Sequence, residues 1–343
     1  MSDDDQREAD QLAGVASPET QLNVIGHAEV RVAIAEQLER TRLPTGILLH
    51  GPRGIGKATL AFDIARLVFG RTGDETPVHI AAQVASGGYP NLRVLRKAPR
   101  DSGKGFYTTI RVDEVRSFVE ELRMTRGRAG FRIAIIDSID DCNPSAANAL
   151  LKILEEPPAE TLFLLVSHRP GNLLPTIRSR CHSVALRPLS DDEVREVLVT
   201  GGADEGLEEA VALAAGRPRR GFEALALGDS EPLVALQGWL KAPDRGAASI
   251  ATSIADALGG DRGGAAYAFA RELALGWVAE EARGAAESGE KPRLASASAL
   301  WDKATAAFDD AEEYNLDARQ TLMSVFDGIR RHAQTHLSLA PAR

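Results

Sequence analysis

The sequence predicts an α/β domain with a parallel sheet and a phosphate-binding loop, then a small helical unit, then a longer all-α region. Three observations carry this. Short apolar runs alternate with helical patterns from Leu22 to about Leu186, the mark of βα units. A glycine-rich stretch, Gly51-Pro-Arg-Gly-Ile-Gly-Lys57, falls between one such run and one such helix. From about Glu231 onward the text is alanine-rich, helical in period and without a convincing strand.

Residues 1–20 are charged and lack an apolar period, so a disordered tail is expected there. The α/β domain follows at 21–188. Gly46–His50 reads as a strand, and Leu60, Ile64, Leu67 and Val68 recur at helical spacing after the glycine loop. Phe131–Ile136 and Thr161–Val166 read as further buried strands. Ser145–Glu156 between them is a helix that Pro157-Pro158 must end, because proline removes a donor and disfavours a helical residue before it. Pro188 marks a boundary, and Ser190-Asp-Asp-Glu193 forms a capping box. The helical unit it opens, 189–229, is broken at Gly201-Gly202 and again from Gly216 to Gly221. The last domain, 230–343, holds all three tryptophans (Trp239, Trp277, Trp301), whose default role is core or interface packing.

Composition narrows the function classes. The chain has 343 residues, 44% hydrophobic and 26% charged, which is ordinary for a globular protein of two or three domains. Its longest apolar runs, such as Leu162–Val166, are far shorter than a membrane span, and the acidic start is not a secretory signal. Cys142 and Cys181 alone cannot build a disulfide framework or a four-cysteine zinc site. A cytoplasmic protein with no membrane partner is expected. The net charge of −9 argues against a surface that grips nucleic acid throughout. The window 87–132 reverses this, with eleven Lys/Arg against five acids. It is either a solvated face or a surface for an acidic partner or a phosphate backbone.

Gly51–Lys57 is placed where a P-loop belongs. Gly51, Gly54 and Gly56 let the backbone wind around phosphates, the helix N-terminus supplies N–H groups, and Lys57 reaches the terminal phosphates. The spacing is not GxGxxG, which disfavours a dinucleotide oxidoreductase. Two hydrolytic elements are absent. The position after Lys57, where a hydroxyl would ligate Mg²⁺, is Ala58; Thr59 is rotated about 100° away. The strand Arg132–Asp137 resembles a Walker B strand in which Asp137 is the carboxylate for Mg²⁺. It is followed by Ser138 where a water-polarising glutamate is needed, with Asp140 and Asp141 out of register. Each loss is worth on the order of 10²–10⁴ in rate, so independent ATP hydrolysis is not expected.

Further stretches carry a family resemblance. Ala146–Pro158 resembles the helix after Walker B in clamp-loader subunits of the AAA+ family. Phe163–Pro170 is similar to their sensor-1 strand and its exit, Ser179-Arg180-Cys181 to their Ser-Arg-Cys motif, and Gly216-Arg-Pro-Arg219 to the sensor-2 arginine of their lid. The resemblance covers about Leu22 to Leu225, and the C-terminal third only through Tyr314–Gln320. It implies a RecA-like AAA+ domain with a small helical lid and an all-α collar domain for oligomerisation. It further implies a stator-type subunit of the DNA polymerase III clamp loader, aiding ATP-dependent loading of the sliding clamp onto primed DNA. The damaged motifs favour a non-hydrolysing member over the ATPase sibling, gamma/tau.

On that resemblance, Arg180 is an arginine finger offered in trans to ATP on a neighbouring subunit, an effect worth about 10³–10⁵ in rate. Gly51, Gly54, Gly56, Lys57, Thr59, Asp137 and Arg219 form a degenerate nucleotide site. No cofactor of its own is required, the loop retains the means to cradle phosphates, and ATP with Mg belongs to the neighbours. The implied partners are the gamma/tau and delta subunits, with the clamp and primer-template DNA reached through the complex at a cytoplasmic, nucleoid-associated replisome. Gly70–Asn91 lacks the cysteines of the family's zinc module, so no metal is expected. Cys181 reads as a small buried hydrophobe, and His168 and His182 as satisfied polar residues. Two rivals stand beside this: a catalytically active AAA+ ATPase, and a DNA-binding module acting through the 87–132 window.

Overall fold

In the computed structural model, residues 9–336 are described apart from 10, 13, 41–42, 102–104, 125–126, 246–247 and 261–263. Two compact units result, 1–222 and 223–343. Part of the expected tail (1–8, 10 and 13) and two cations of the basic window, Lys104 and Arg126, lie outside the described residues.

The first unit runs α1 (Ala28–Glu39), β1 (Gly46–His50), α2 (Lys57–Thr72), α3 (Pro77–Ala85), β2 (Leu92–Leu95), α4 (Val112–Arg123), β3 (Arg132–Ile136), α5 (Pro144–Glu155), β4 (Thr161–Ser167), α6 (Pro175–Arg178), β5 (His182–Ala185), α7 (Asp191–Thr200) and α8 (Leu207–Ala214). The strands form one sheet in the order β2-β3-β4-β1-β5, and every ladder is parallel. β1, β3 and β4 are buried along almost their whole length, as continuous apolar strands covered on both faces must be. Alternation along the strands sends Leu48, Ala134, Ile136, Phe163 and Leu165 to one face, where Val115, Phe118 and Leu122 of α4 and Leu150 and Ile153 of α5 cover them. The other face is covered by α2, whose Leu60, Ile64 and Val68 are fully buried. This is the RecA-like α/β core that the resemblance implies.

Local signals account for the helix ends. Asn143 caps α5 by accepting the Ala146 N–H at 2.8 Å, and Pro144 takes the first helical position. Ser190 and Glu193 close the expected capping box of α7, with the Ser190 N–H donating to Glu193 Oε2 at 2.8 Å. The expected break at Gly216–Gly221 is present but shorter: α8 ends at Ala214, and α9 (Pro218–Leu227) begins inside that stretch. A Cβ on Gly221 would lie 3.0–3.1 Å from the Leu198 methyls, so this glycine permits close packing of α9 on α7.

The tail expectation fails in part. Arg66 of α2 donates to the carbonyls of Glu19 (3.1 Å) and Gln21 (2.6 Å), and Arg96 reaches the Glu19 carboxylate at 3.1 Å. Charged composition implies solvation only while the charges lack partners, and here the fold supplies them.

Among its described residues the second unit has helices as its regular elements and no strand: α10 (Glu231–Leu240), α11 (Ala248–Leu258), α12 (Ala265–Ser288), α13 (Lys291–Glu313) and α14 (Ala318–His336). Trp239 packs on Phe326 with ring centroids 5.3 Å apart, and Tyr267 meets Phe308 edge-on at 6.3 Å. A buried polar cluster joins three helices. Arg293 donates to Glu281 at 2.8 Å, His332 Nε2 lies 3.6 Å from the same oxygen, and His332 Nδ1 is 2.9 Å from Ser296 Oγ. Burial alone would raise the Glu281 pKa, but the His332 and Arg293 contacts bring it below its ordinary value. Trp301 is 40% exposed, so only part of the tryptophan surface is used inside this unit.

Candidate nucleotide site and arginine corner

The loop after β1 has P-loop geometry. Gly51, Gly54 and Gly56 all have positive φ, at 152°, 85° and 92°. At Gly51 a Cβ would collide with the Leu186 carbonyl, and at Gly54 it would sit 2.7 Å from Arg219 Cβ. The Arg219 N–H also donates to the Gly54 carbonyl at 3.2 Å, so the expected sensor-2 arginine lies directly on the loop. His27, which the sequence did not single out, donates from Nε2 to the Ile55 carbonyl at 3.0 Å.

Lys57 is 3% exposed, and its ammonium donates to the carbonyls of Gly51 (2.8 Å) and Pro52 (2.6 Å). Burial pushes its pKa down to about 7, against the pull of Asp140 and Asp137. Around this loop lies a cavity of about 250 Å³. Its lining includes the cations Lys57, Arg53, Arg96, Lys97 and Arg219 together with apolar residues such as Leu12, Val15, Ile25 and Phe222. Thr59 and Asp137 also border it.

These residues suit a phosphate chain attached to an apolar group, but they do not fit a divalent ion. Ala58 offers no oxygen beside Lys57. Asp137 faces a guanidinium instead: Arg96 Nε is 3.9 Å from its Oδ2, and both side chains are at most 20% exposed. Arg96 is also held by Glu19 and lies over the Phe62 ring, 5.3 Å from its centroid.

Asp140, set aside in the sequence as out of register, is a structural hub. Its carboxylate accepts from the Ser138 hydroxyl (2.9 Å), the Ser167 hydroxyl (3.0 Å), and the N–H groups of His168 (2.6 Å) and Arg169 (3.1 Å). It fastens the turn after β3 to the exit of β4. A carboxylate with four donors is poorly placed to polarise water.

The Ser-Arg-Cys corner lies elsewhere on the same unit. Cys181 is 9% exposed against the start of β1, where a Gly46 Cβ would be 3.0 Å from its sulfur; burial pushes its thiol up to about 11. Cys181 therefore anchors the corner. Ser179 Oγ donates to the Thr176 carbonyl at 3.0 Å. Arg180 is 35% exposed, donates to the Thr176 carbonyl at 3.0 Å, and pairs with Glu155 at 2.6 Å. His168 is fixed through its backbone by Asp140, whereas His182 is exposed on β5.

The basic window is largely neutralised within the fold. Arg93 pairs with Glu121, Lys97 with Asp141, Arg111 with Glu114, Arg116 with Asp113 and Arg128 with Glu75.

Comparison with known proteins agrees with this geometry. The family model for the DNA polymerase III delta subunit matches residues 26–190. DNA polymerase III subunit delta-prime of Pseudomonas aeruginosa is 38% identical over 178 residues, 50% of this chain and 52% of that protein. The Bacillus subtilis delta-prime subunit is 28% identical over 165 residues, 47% of this chain and 48% of that protein. Through residues 26–190, just under half of its length, the chain is similar to the delta-prime clamp-loader subunits of DNA polymerase III. The subunit tau of Escherichia coli is 30% identical over 191 residues, 54% of this chain but 28% of tau. The chain thus matches about half the length of its delta-prime relatives and less of tau. No helix among the described residues is long and apolar enough to cross a membrane.

Proposed function

We propose that the chain is a stator-type, non-hydrolysing subunit of a DNA polymerase III clamp loader. In this role it supports ATP hydrolysis on a neighbouring gamma/tau subunit through Arg180, and the complex loads the sliding clamp onto primed DNA. The carrying observation is the contrast at the nucleotide site: a formed P-loop cradle in which Asp137 faces Arg96 and Ala58 replaces the metal-binding hydroxyl.

Arg180 supports the trans role by its position. Its only ion-pair partner among the described contacts, Glu155, is 41% exposed, and such a pair is worth roughly 0–1 kcal/mol. A finger beside a neighbour's γ-phosphate supplies about 10³–10⁵ in rate, or roughly 4–7 kcal/mol of barrier. Exchange of Glu155 for a transferring phosphate is therefore favourable. The second unit serves assembly with the gamma/tau and delta subunits; exposed Trp301 (40%), Tyr314 (64%) and Leu316 (48%) offer apolar surface for it.

The test is steady-state ATP turnover by the purified chain, alone and with gamma/tau. Negligible turnover alone is expected. Turnover above about 1 s⁻¹ that disappears in Lys57→Ala would make the chain an ATPase in its own right and sink the proposal.

A further inference from the structure

We infer that the cavity around Lys57 binds a nucleoside polyphosphate without a divalent cation, Arg96 providing the positive charge that Asp137 would otherwise draw from a metal. This rests on reading that cavity as a degenerate nucleotide site, and it adds the ionic form of the ligand.

The charge of the lining is the first argument. Arg53, Lys57, Arg96, Lys97 and Arg219 border the cavity, with Asp137 as the only carboxylate among its lining residues. Metal-chelated nucleotides carry two fewer negative charges than free ones, so a lining rich in cations favours the free form. The second argument is the engagement of Asp137. Arg96 is 15% exposed, lies 3.9 Å from Asp137 and also pairs with Glu19 at 3.1 Å. A divalent ion on Asp137 would need to displace this guanidinium or sit beside it in a poorly solvated place, where like charges repel strongly. The third is Ala58, whose methyl group leaves an arriving ion one protein ligand short.

The apolar lining points to a nucleoside in preference to bare polyphosphate. Leu12, Val15, Ile25, Val197 and Phe222 are all among the lining residues, and apolar lining of this kind suits a base. Residues 12–25 come from the segment that Arg66 and Arg96 fasten to the domain, so the same contacts that hold this segment also complete the cavity.

The test is equilibrium binding of a fluorescent adenosine diphosphate and triphosphate to the full chain, in excess EDTA and in excess Mg²⁺. Binding in EDTA is expected, with a Kd equal to or tighter than that in Mg²⁺. Binding that weakens tenfold or more in EDTA, or no binding in either condition, overturns the inference. Ala58→Ser should leave the cation response unaltered while Arg96 is present, whereas Ala58→Ser with Arg96→Ala should bind about tenfold tighter in Mg²⁺ than in EDTA. A double variant that stays indifferent to Mg²⁺ removes Arg96 from the account. Should the double variant fail to fold, Arg96→Gln alone should weaken binding more in EDTA than in Mg²⁺; equal weakening in both counts against the inference. Hydrolysis is read separately: turnover in Mg²⁺ would defeat the non-hydrolysing proposal, while the EDTA titration decides this one.

Discussion

Two arginines of the first unit show how one fold separates two kinds of site. Arg96 is 15% exposed and held between Glu19 and Asp137, over the Phe62 ring. Arg180 is 35% exposed and held by Glu155, which is itself 41% exposed. The first is locked by partners that water cannot easily replace. The second is held by a partner that water, or a stronger anion, readily replaces. Burial, more than residue type, decides how firmly each arginine is held within the chain.

The largest expected effect tests the exposed arginine. On the proposed trans role, Arg180→Ala should lower hydrolysis at an adjoining gamma/tau site by about 10³–10⁵, with a smaller fall in the total ATPase of the complex because other sites continue. Its melting temperature should stay near that of the parent, since an exposed pair contributes roughly 0–1 kcal/mol. Arg180→Lys should rescue little, because lysine lacks the planar fork. Clamp loading at the parental rate, with assembly confirmed, would leave Arg180 a purely local residue.

A smaller effect is expected where a buried network is cut. Asp140→Ala leaves the Ser167 hydroxyl and the His168 and Arg169 N–H groups without their acceptor. A loss of about 3 kcal/mol in denaturant unfolding of the first transition is expected. A loss under about 1 kcal/mol would mean that water replaces the carboxylate and that the hub is dispensable.

A further expected effect is a pH dependence. Lys57 is held at about 7 in the fold against 10.5 for an ordinary lysine, so between these values the unfolded chain holds the extra proton. Stability from this group therefore rises with pH across that window. Lys57→Met removes the slope, and its stability advantage over the parent should be greater at pH 6 than at pH 10. Equal differences at both would show that the ammonium is better solvated than its carbonyl contacts indicate.

Much of this unit was legible because its signals are local. The apolar runs of β1, β3 and β4, the glycine loop, the Ser190 box and the Pro157-Pro158 stop each act within a few residues. β2 and β5 were not legible: each has only four residues and little fully buried surface, so no continuous apolar run announces them. The role of Arg96 was hidden for a different reason. Its charge entered the count of a basic window, but its partners Glu19 and Asp137 lie far from it in sequence. Asp140 was visible yet misplaced, because spacing from β3 does not reveal that the end of β4 turns back onto it. Gly221 was taken for a breaker because the sequence does not show that Leu198 stands over it.

The order of strands also sets a timetable for biosynthesis. β1 emerges early, but its two neighbours, β4 and β5, begin only at Thr161 and His182. At about 5–20 residues per second, the apolar stretch Ile47–Leu49 waits roughly 5–25 s for a partner strand. Arg219, which rests on Gly54, arrives later still. The phosphate loop is thus among the first parts of the domain to be translated and among the last to acquire its final shape, leaving the nascent chain dependent on whatever shields that stretch at the ribosome.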